Sequence, residues 1–317
     1  MNMQTPVSTG LFHKTGEISL RGVYADDVSP VTVSVIIPAY NEGERLPPYV
    51  GELVQAGIGQ PFPVVEIIVS DDGSTPEHAQ RMRACVTAAQ TMLARAGSPH
   101  RVSYVAAERN GGKGSAIRRG WRSVSPEAAW LAFLDADGSV GAADFFRLAA
   151  LAAASPDVDV LAGSRILMAG RQVSRNLFRH LQGRLFATFT DLQFQLRFYD
   201  TQCGVKFFRA SLLKPLLPVL KEERWLLDVE LLALMKRRQA RALEVPIDWA
   251  DVEGSKIVPG MDALRMLWGL ARLRQRLDRL PDVALPAEAQ GRTVSLPMRD
   301  EVRPLSPVSQ PKQASRG

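Results

Sequence analysis

The sequence of 317 residues contains only two cysteines, Cys85 and Cys203, which lie far apart. Because a disulfide framework needs more cysteines than this, the pair is typical of a protein in a reducing cytoplasm. The sequence has no run of about 18 or more apolar residues, so we expect no transmembrane helix. The polar stretch 1–22 lacks the apolar segment of a secretory signal.

Histidine is scarce, whereas basic residues are in excess. His13, His78, His100 and His180 show no spacing typical of metal ligands, so surface or capping roles are expected for them. The formal net charge of +6 and the isoelectric point near 9.5 favour an anionic partner. No basic motif interleaved with aromatic residues is present, so a nucleic acid is not the expected partner.

The composition predicts four segments along the chain. Residues 1–30 mix polar residues and glycine without a period and are expected to form a flexible tail. The segment 282–317 is rich in proline, serine, glutamine and charge, which predicts disorder because little apolar surface is available for burial. Between the tails we expect one domain over 31–257 and a basic amphipathic helix over 258–281.

Short apolar runs alternate with helical patterns within 31–257. This alternation predicts an α/β fold, with a mostly parallel, Rossmann-like sheet flanked by helices. The clearest helix is Pro76–Arg95, with Ser74 or Thr75 as the N-cap, a proline at its start and Gly97 just past its end. The predicted strands are Val31–Pro38, Val64–Ser70, Val102–Ala106, Trp130–Leu134 and Val158–Ala162.

Each predicted strand runs out into a polar cluster at its carboxyl end. Open parallel sheets bind ligands at this edge, so five clusters there predict a single binding site. The clusters are Tyr40–Glu42, Asp71–Ser74, Arg109–Gly114, Asp135–Asp137 and Gly163–Arg165.

Asp135 and Asp137 are two residues apart at a strand end, so both side chains are expected to point the same way. Adjacent carboxylates repel each other unless a cation lies between them, and Mg²⁺ is commonly held by one or two carboxylates together with substrate phosphates. An isolated Asp-x-Asp turn more often caps a helix. The preceding strand and the four other clusters instead favour a metal site that neutralises a diphosphate.

Two further clusters offer groups to a nucleotide. Asp71 and Asp72 are suited to accept hydrogen bonds from a base or a ribose, although a turn that caps the next helix remains the alternative. The Asn110–Gly114 loop offers backbone N–H groups and the Lys113 ammonium to phosphate oxygens. It lacks the Gly-Lys-Ser/Thr spacing of a P-loop, so an ATPase is not expected.

Taken in order, these motifs resemble those of the family 2 glycosyltransferases, which have the GT-A fold. Val35–Glu42 is similar to the first strand and nucleotide-contacting loop of that family, and Ile67–Ser74 to its second strand and turn. The second half resembles the dolichyl-phosphate β-glucosyltransferases and, more distantly, the dolichol-phosphate mannose synthases. The motifs that carry this second resemblance are Asp200–Lys206, Glu223–Leu232, Trp249 and Glu253–Lys256.

The resemblance implies a donor, an acceptor and a cofactor. Asp135 and Asp137 would hold the diphosphate through Mg²⁺ or Mn²⁺, and Asp137 is the first candidate catalytic residue. The acceptor would be a polyprenyl monophosphate, and inversion at the sugar carbon would give a β product. The nucleotide-sugar would be bound by Pro38, Tyr40, Glu42, Asp71, Asp72, Lys113 and Asp135.

An acceptor phosphate needs cationic groups more than a base, because its oxygen is already anionic near neutral pH. Arg175 and Arg179 are four residues apart and would share a helical face, either to bind phosphate or as a solvated basic surface. Asp200 and Asp228 are candidate catalytic carboxylates, with an ion pair to Arg224 or Lys206 as the alternative. The candidate ligands of the acceptor phosphate are Arg165, Arg175, Arg179 and Lys206.

The segment Met261–Leu280 has leucines at three- and four-residue steps and arginines on a different face. A basic amphipathic helix that contains Trp268 suits an anionic membrane surface, although a helix packed on its own domain is the commoner case. A lipid acceptor favours a cytoplasmic protein bound peripherally to the inner face of the membrane.

The expected function is therefore the inverting transfer of a sugar from a nucleotide-sugar to a dolichyl-type phosphate. The expected sugar is glucose, and the expected donor is UDP-glucose. One alternative is a soluble family 2 enzyme that acts on a small molecule or a polysaccharide. Another is a non-catalytic protein that binds nucleotides or membranes. The presence of Lys113, Asp135 and Asp137 favours an enzyme over the second alternative.

Overall fold

The computed structural model describes residues 32–166, 173–174, 177–250 and 261–281. The predicted tails at 1–30 and 282–317 therefore lie outside the described residues, as do Arg175 and the Glu253–Lys256 motif. The four segment boundaries remain predictions.

The described residues form a central sheet of seven strands in the order β3-β2-β1-β4-β7-β5-β8. Neighbouring strands pair in parallel throughout, except that β7 runs antiparallel to both β4 and β5. The predicted α/β fold with a mostly parallel sheet is confirmed. The strands of this sheet are β1 (Thr32–Ala39), β2 (Val64–Asp71), β3 (Arg101–Ala106), β4 (Ala128–Leu134), β5 (Val160–Ser164), β7 (Val205–Arg209) and β8 (Ala242–Pro246).

A second, two-stranded sheet joins β6 (Val173–Ser174) to β9 (Trp249–Ala250) in parallel. Helix α2 begins and ends at the predicted residues, with Pro76 in its first turn. No helix within the described ranges is long and apolar enough to cross a membrane. The helices are α1 (Leu46–Ile58), α2 (Pro76–Arg95), α3 (Lys113–Trp121), α4 (Ala142–Ala154), α5 (Leu177–Phe194), α6 (Ala210–Leu213), α7 (Leu227–Arg237) and α8 (Met261–Asp278), with a 3₁₀ turn at Lys214–Leu216.

The sheet is covered on both faces, which explains why its strands read as continuous apolar runs. Val33, Val35 and Ile37 of β1 pack in one core with residues of α1, α2 and α4. The alternate residue Ile36 faces α3, where Gly120 approaches its side chain closely. With both faces covered, the predicted polar clusters lie at the strand ends.

Helix α8 packs on the domain through its apolar face. Leu270, Leu273 and Leu277 are buried, and Gly269 lies against Leu226 just before α7. The Arg237 guanidinium on α7 donates to the carbonyl of Leu277 at 2.5 Å, near the end of α8. The leucines whose side chains are described in α8 are therefore buried against the domain and do not face a membrane.

Candidate active site

Hydrogen bonds join the ends of β1 and β2. The Asp72 amide donates to the carbonyl of Ala39 at 2.8 Å. The Asn41 amide donates to Ser74 Oγ at 2.8 Å, and Asn41 Oδ1 accepts from the Thr75 amide at 3.0 Å. Asn41 reaches both partners from a left-handed backbone conformation, with φ 54°, which asparagine tolerates well. The first two clusters thus form one continuous rim.

Asp72 organises the glycine loop, residues 110–114, which follows β3. Its Oδ2 accepts from the amides of Gly111 at 3.1 Å and Gly112 at 2.6 Å, and its Oδ1 pairs with Arg119 at 3.2 Å. Gly112 has φ 96°, a left-handed value at which a side chain would be strained. The loop thereby sets Lys113 at the first position of α3.

Asp71 is also held by neighbouring groups. The hydroxyl of Tyr104 donates to Asp71 Oδ2, and the amide of Ser74 donates to Oδ1 at 3.0 Å. Burial and the hydrogen bond to Asp71 raise the pKa of Tyr104 to about 12, so this hydroxyl keeps its proton. Because Asp71 and Asp72 are buried among protein donors, their contacts with a nucleoside remain predictions.

Lys113 lies against the first carboxylate of the Asp-x-Asp motif. Its ammonium is 2.7 Å from Asp135 Oδ1, and it lies over the rings of Phe133 at 5.2 Å and Trp225 at 5.4 Å. Burial alone would lower the pKa of Lys113, but the attraction of Asp135 and Asp228 outweighs burial and raises it. Lys113 is therefore a cation throughout the neutral pH range.

Asp135 and Asp137 follow β4 and are only partly buried. The Asp135 amide donates to the carbonyl of Gly204 at 2.9 Å, and the Asp135 carboxylate passes where Gly204 has no side chain. Asp137 Oδ1 accepts from the Ser139 amide at 3.0 Å. Burial raises the pKa of Asp135; Lys113 opposes this shift, whereas the charge of Asp137 adds to it. A cation between the two carboxylates would relieve their repulsion.

Lys206 of β7 forms a buried ion pair close to this group. Its Nζ is 2.5 Å from Asp228 Oδ1 and 2.8 Å from the carbonyl oxygen of Cys203. The side chain of Lys206 is 0% exposed and that of Asp228 is 3% exposed, so neither faces solvent. Of the two interpretations of Asp228 that the sequence left open, the geometry favours the ion pair. Acceptor binding by Lys206 remains a prediction, and its full burial argues against direct contact.

Arg165 and Asp200 form a second ion pair beyond the end of β5. Arg165 Nε and Nη2 donate to the two carboxylate oxygens of Asp200 at 2.6 and 2.7 Å. The guanidinium also lies 4.7 Å from the ring centroid of Trp249. Although burial opposes ionisation of Asp200, Arg165 outweighs it and lowers the pKa of Asp200 to about 2. The acceptor role of Arg165 and the catalytic role of Asp200 remain predictions.

The Arg165–Asp200 pair predicts a pH-dependent contribution to stability. Because the pKa of Asp200 falls from 3.8 to about 2 on folding, the unfolded chain binds its proton more readily. The pair should therefore contribute about 2 kcal/mol above pH 4, and this should be lost as the pH falls towards 2. Urea unfolding of the wild type and Asp200→Asn across this range measures the difference. A difference that did not change with pH would contradict the assignment; Asp157→Asn, at an exposed carboxylate, is the control.

The remaining donor-side residues lie at the end of β1. Pro38 is partly buried, and Tyr40 is 38% exposed at the rim. Glu42 is buried and accepts two hydrogen bonds from Arg45, at 2.7 and 2.8 Å. These positions match the expected edge of the sheet, and their contacts with a nucleoside remain predictions.

The arginine pair predicted for the acceptor phosphate, and Cys203, are the residues that remain to be placed. Arg175 lies outside the described residues, and for Arg179 only the helical backbone of α5 is described, so their shared face remains a prediction. Cys203 is completely buried, and burial raises the pKa of its thiol to about 12, so this cysteine is a packed thiol and not an exposed nucleophile.

Several residues that shape the site carried no signal of their own in the sequence. Phe133 contacts both lysines of the site: the ammonium groups of Lys113 and Lys206 lie 5.2 and 5.3 Å from the centroid of its ring. Arg119 donates to the Asp71 carbonyl at 3.1 Å as well as pairing with Asp72. Trp225 belongs to the Glu223–Leu232 motif, but that motif does not indicate that its ring lies beside Lys113.

A parallel sheet whose carboxyl edge gathers a glycine loop, a lysine and an Asp-x-Asp motif defines a glycosyltransferase of the GT-A fold. The family described as Glycosyl transferase family 2 matches residues 34–217 of this chain. The chain belongs to this family, and the resemblance inferred from the motifs is confirmed.

Two relatives and one solved structure illustrate the similarity. The chain is 33% identical to the dolichyl-phosphate beta-glucosyltransferase of Drosophila melanogaster over 76% of this chain and 74% of that protein. It is 31% identical to the Homo sapiens enzyme of the same name, over 77% and 75% of the two chains. The fold is similar to that of glucosyl-3-phosphoglycerate synthase from Mycobacterium tuberculosis in complex with Mn²⁺, UDP and phosphoglyceric acid, with a TM-score of 0.54, 19% identity and 80% of each chain covered.

Proposed function

We propose that this chain transfers glucose from UDP-glucose to a polyprenyl monophosphate, with inversion at the sugar carbon. The observation that carries the proposal is the carboxyl edge of the sheet, where Lys113 and the Asp135–Asp137 motif meet in a partly accessible group. The relatives described above, which are named for the same transfer to dolichyl phosphate, support the choice of sugar and acceptor.

On the donor side, the rim formed by β1 and β2 would hold the nucleoside and the glycine loop would face the diphosphate. Pro38, Tyr40 and Glu42 are at the rim, with Asp71 close behind them. We assign to Asp72 the ordering of the glycine loop, since its carboxylate accepts from two loop amides. Lys113, at the N-terminus of α3, would offset negative charge that develops on the leaving diphosphate.

Asp135 and Asp137 are suited to hold Mg²⁺ or Mn²⁺. Their carboxylates are hard oxygen ligands. Burial and, to a smaller extent, the charge of Asp137 raise the pKa of Asp135, although Lys113 opposes the shift, and a bound cation would favour the ionised carboxylate. The bound metal would neutralise the diphosphate as it leaves the sugar. The similar fold of the synthase, which was solved in complex with Mn²⁺ and UDP, supports a divalent metal in this proposal.

On the acceptor side, a phosphate oxygen would attack the sugar carbon directly. Such an oxygen needs positioning rather than deprotonation, so we assign no general base. Arg165 directly follows β5 at the edge of the sheet, and Arg175 and Arg179 are proposed from the sequence alone. Asp200 would orient Arg165, and Asp228 would hold Lys206 within the charged group.

The proposal is tested by incubating the purified protein with UDP-glucose or another nucleotide-sugar as donor and with a polyprenyl phosphate or phosphoglyceric acid as acceptor, in the presence and absence of Mg²⁺ or Mn²⁺. We expect a lipid-linked glucose that mass spectrometry detects, with a β linkage by NMR, and no product in EDTA. Transfer to phosphoglyceric acid but not to lipid would favour a small-molecule acceptor. If the protein neither transferred sugar nor bound UDP, the proposal would be wrong, and a non-catalytic protein that binds membranes would be favoured.

We also propose that the protein docks on an anionic membrane through the outer surfaces of α5 and α8. On α8, Trp268 is 69% exposed, and the Arg272 guanidinium lies 5.3 Å from its ring centroid. On α5, Leu192 is 72% exposed and Phe189 is 41% exposed. The two helices pack against each other, and Arg274 joins them by donating to the Gln193 carbonyl at 2.7 Å. Exposed apolar groups beside basic ones suit a headgroup layer.

Replacing Trp268 and Leu192 together by serine should weaken membrane binding about tenfold, because two large apolar side chains no longer enter the lipid. Flotation with vesicles of phosphatidylcholine and phosphatidylserine at low salt measures this. The control is Met92→Ser, which removes an apolar side chain that is 38% exposed on α2, away from the proposed surface. Equal flotation of the double variant and the wild type would contradict the proposed surface.

A further inference from the structure

The glycine loop rests directly on the backbone of residues 220–226, hereafter the 220–226 loop. The Ser115 amide donates to the Glu223 carbonyl at 3.1 Å. A Cβ atom added to Gly112 would lie 2.5 Å from the Glu223 carbonyl oxygen, and one added to Gly114 would lie 2.5 Å from that of Glu222. Because no side chain separates the two loops, a shift of the 220–226 loop must move the glycine loop as well.

Two further contacts link the 220–226 loop to α3. Arg118 Nη1 on α3 donates to the Leu220 carbonyl at 2.6 Å. The ring centroid of Trp225 lies 5.4 Å from the Lys113 ammonium. The 220–226 loop therefore positions Lys113 in two ways: it packs against the backbone on either side of Lys113, at Gly112 and Gly114, and its Trp225 ring lies beside the ammonium.

Two buried carboxylates and one arginine hold the 220–226 loop in turn. Glu230 of α7 is 0% exposed and accepts from the amides of Lys221 and Glu222, each at 2.9 Å. Arg276 of α8 donates to Glu230 Oε1 at 2.8 Å and to Glu222 Oε1 at 3.0 Å. Burial and the charge of Glu230 raise the pKa of Glu222, while Arg276 and Arg272 oppose that shift. Arg276 is thus the hydrogen-bonded counter-charge for two carboxylates that repel each other.

We infer that Arg276 of α8, which lies outside the motifs that predict the donor site, is a positioning residue for that site. By pairing with both Glu222 and Glu230 it holds the 220–226 loop in place, and that loop positions the glycine loop and Lys113. The inference rests on the proposed donor role of the glycine loop and Lys113.

Replacing Arg276 by methionine should weaken UDP binding about tenfold, because two uncompensated carboxylates displace the loop beneath the glycine loop. Isothermal titration with UDP and Mn²⁺, at a temperature where every variant is folded, measures the change. In transfer assays the KM for the nucleotide-sugar should rise, whereas the KM for the acceptor should stay within about twofold.

Two companion variants separate positioning from general stability. Arg276→Met combined with Glu222→Gln removes the repulsion and should restore most of the UDP affinity. The matched control is Arg274→Met, which makes the same change on α8, where Arg274 contacts Asp278 and α5 rather than the 220–226 loop. It should bind UDP as the wild type does. If Arg276→Met does not fold, Arg276→Lys, which keeps the charge with fewer donors, should show a smaller loss of the same kind.

The outcomes separate this inference from the proposed function. UDP binding by the wild type with equal binding by Arg276→Met would overturn the inference alone. Equal losses in Arg276→Met and Arg274→Met, or no recovery with Glu222→Gln, would also overturn it, because the effect would then be general destabilisation. No UDP binding by the wild type would overturn both proposals.

Discussion

Replacing Asp137 by alanine is expected to lower kcat/KM for sugar transfer by at least about a hundredfold, because the diphosphate loses part of its charge stabilisation. The fold should be little affected. Asp137 is only partly buried, and the Ser139 amide is the donor observed at its carboxylate, at 3.0 Å. Loss of that bond, offset by relief of the repulsion with Asp135, should change the free energy of unfolding by no more than about 1 kcal/mol.

Steady-state transfer assays and Mn²⁺ titration in the presence of UDP measure these effects. Asp137→Asn keeps the shape of the side chain and removes the charge, so it should lose nearly as much activity as the alanine variant. The control is Asp157→Ala, at a surface carboxylate with a 74% exposed side chain, which should transfer sugar normally. Unchanged activity and Mn²⁺ binding in Asp137→Ala would remove this residue from the proposed metal site.

Replacing Lys206 by methionine should destabilise the fold by about 3–5 kcal/mol, because Asp228 would be left buried with its charge unpaired. Adding Asp228→Asn should restore much of that loss, since the buried charge is then removed as well. Urea unfolding measures both variants. Arg81→Met, which breaks a surface pair with Glu77 on α2, is the control and should change stability by less than about 1 kcal/mol.

The same pair of variants determines whether Asp228 takes part in the reaction. If Asp228 only balances the charge of Lys206, sugar transfer should return together with stability in the double variant. If stability returns but transfer does not, the catalytic role first expected for Asp228 is retained. Stability unchanged in Lys206→Met would contradict the role assigned to this ion pair.

The local pattern of the sequence was enough to predict the frame of the site. Strands buried on both faces leave continuous apolar runs, and chain reversal at their ends needs polar residues and glycine. Helix α2 was predicted to the residue because a proline at its start and a glycine after its end mark both termini. The same local information placed Asp135 and Asp137 at a strand end and identified the family.

The partners of charged side chains were not predictable in the same way. Asp228 had two candidate cations, and only the antiparallel insertion of β7 between β4 and β5 brings Lys206 to it. The sequence makes Asp200 a candidate catalytic carboxylate, and the structure shows it in a bidentate pair with Arg165. Charge and spacing along a chain do not specify which of several equivalent groups will meet.

Helix α8 shows the same division between local and tertiary information. The leucine spacing predicted an amphipathic helix but left open whether lipid or protein covers its apolar face. The fold buries Leu270 and Leu273 against the domain and turns Arg276 inward to Glu222 and Glu230. The sequence by itself determined the first five strands, the motifs at their ends and the family, because these depend on near neighbours in the chain. Only the tertiary structure decided which charges pair and which apolar faces are covered, because those depend on distances between segments far apart in sequence.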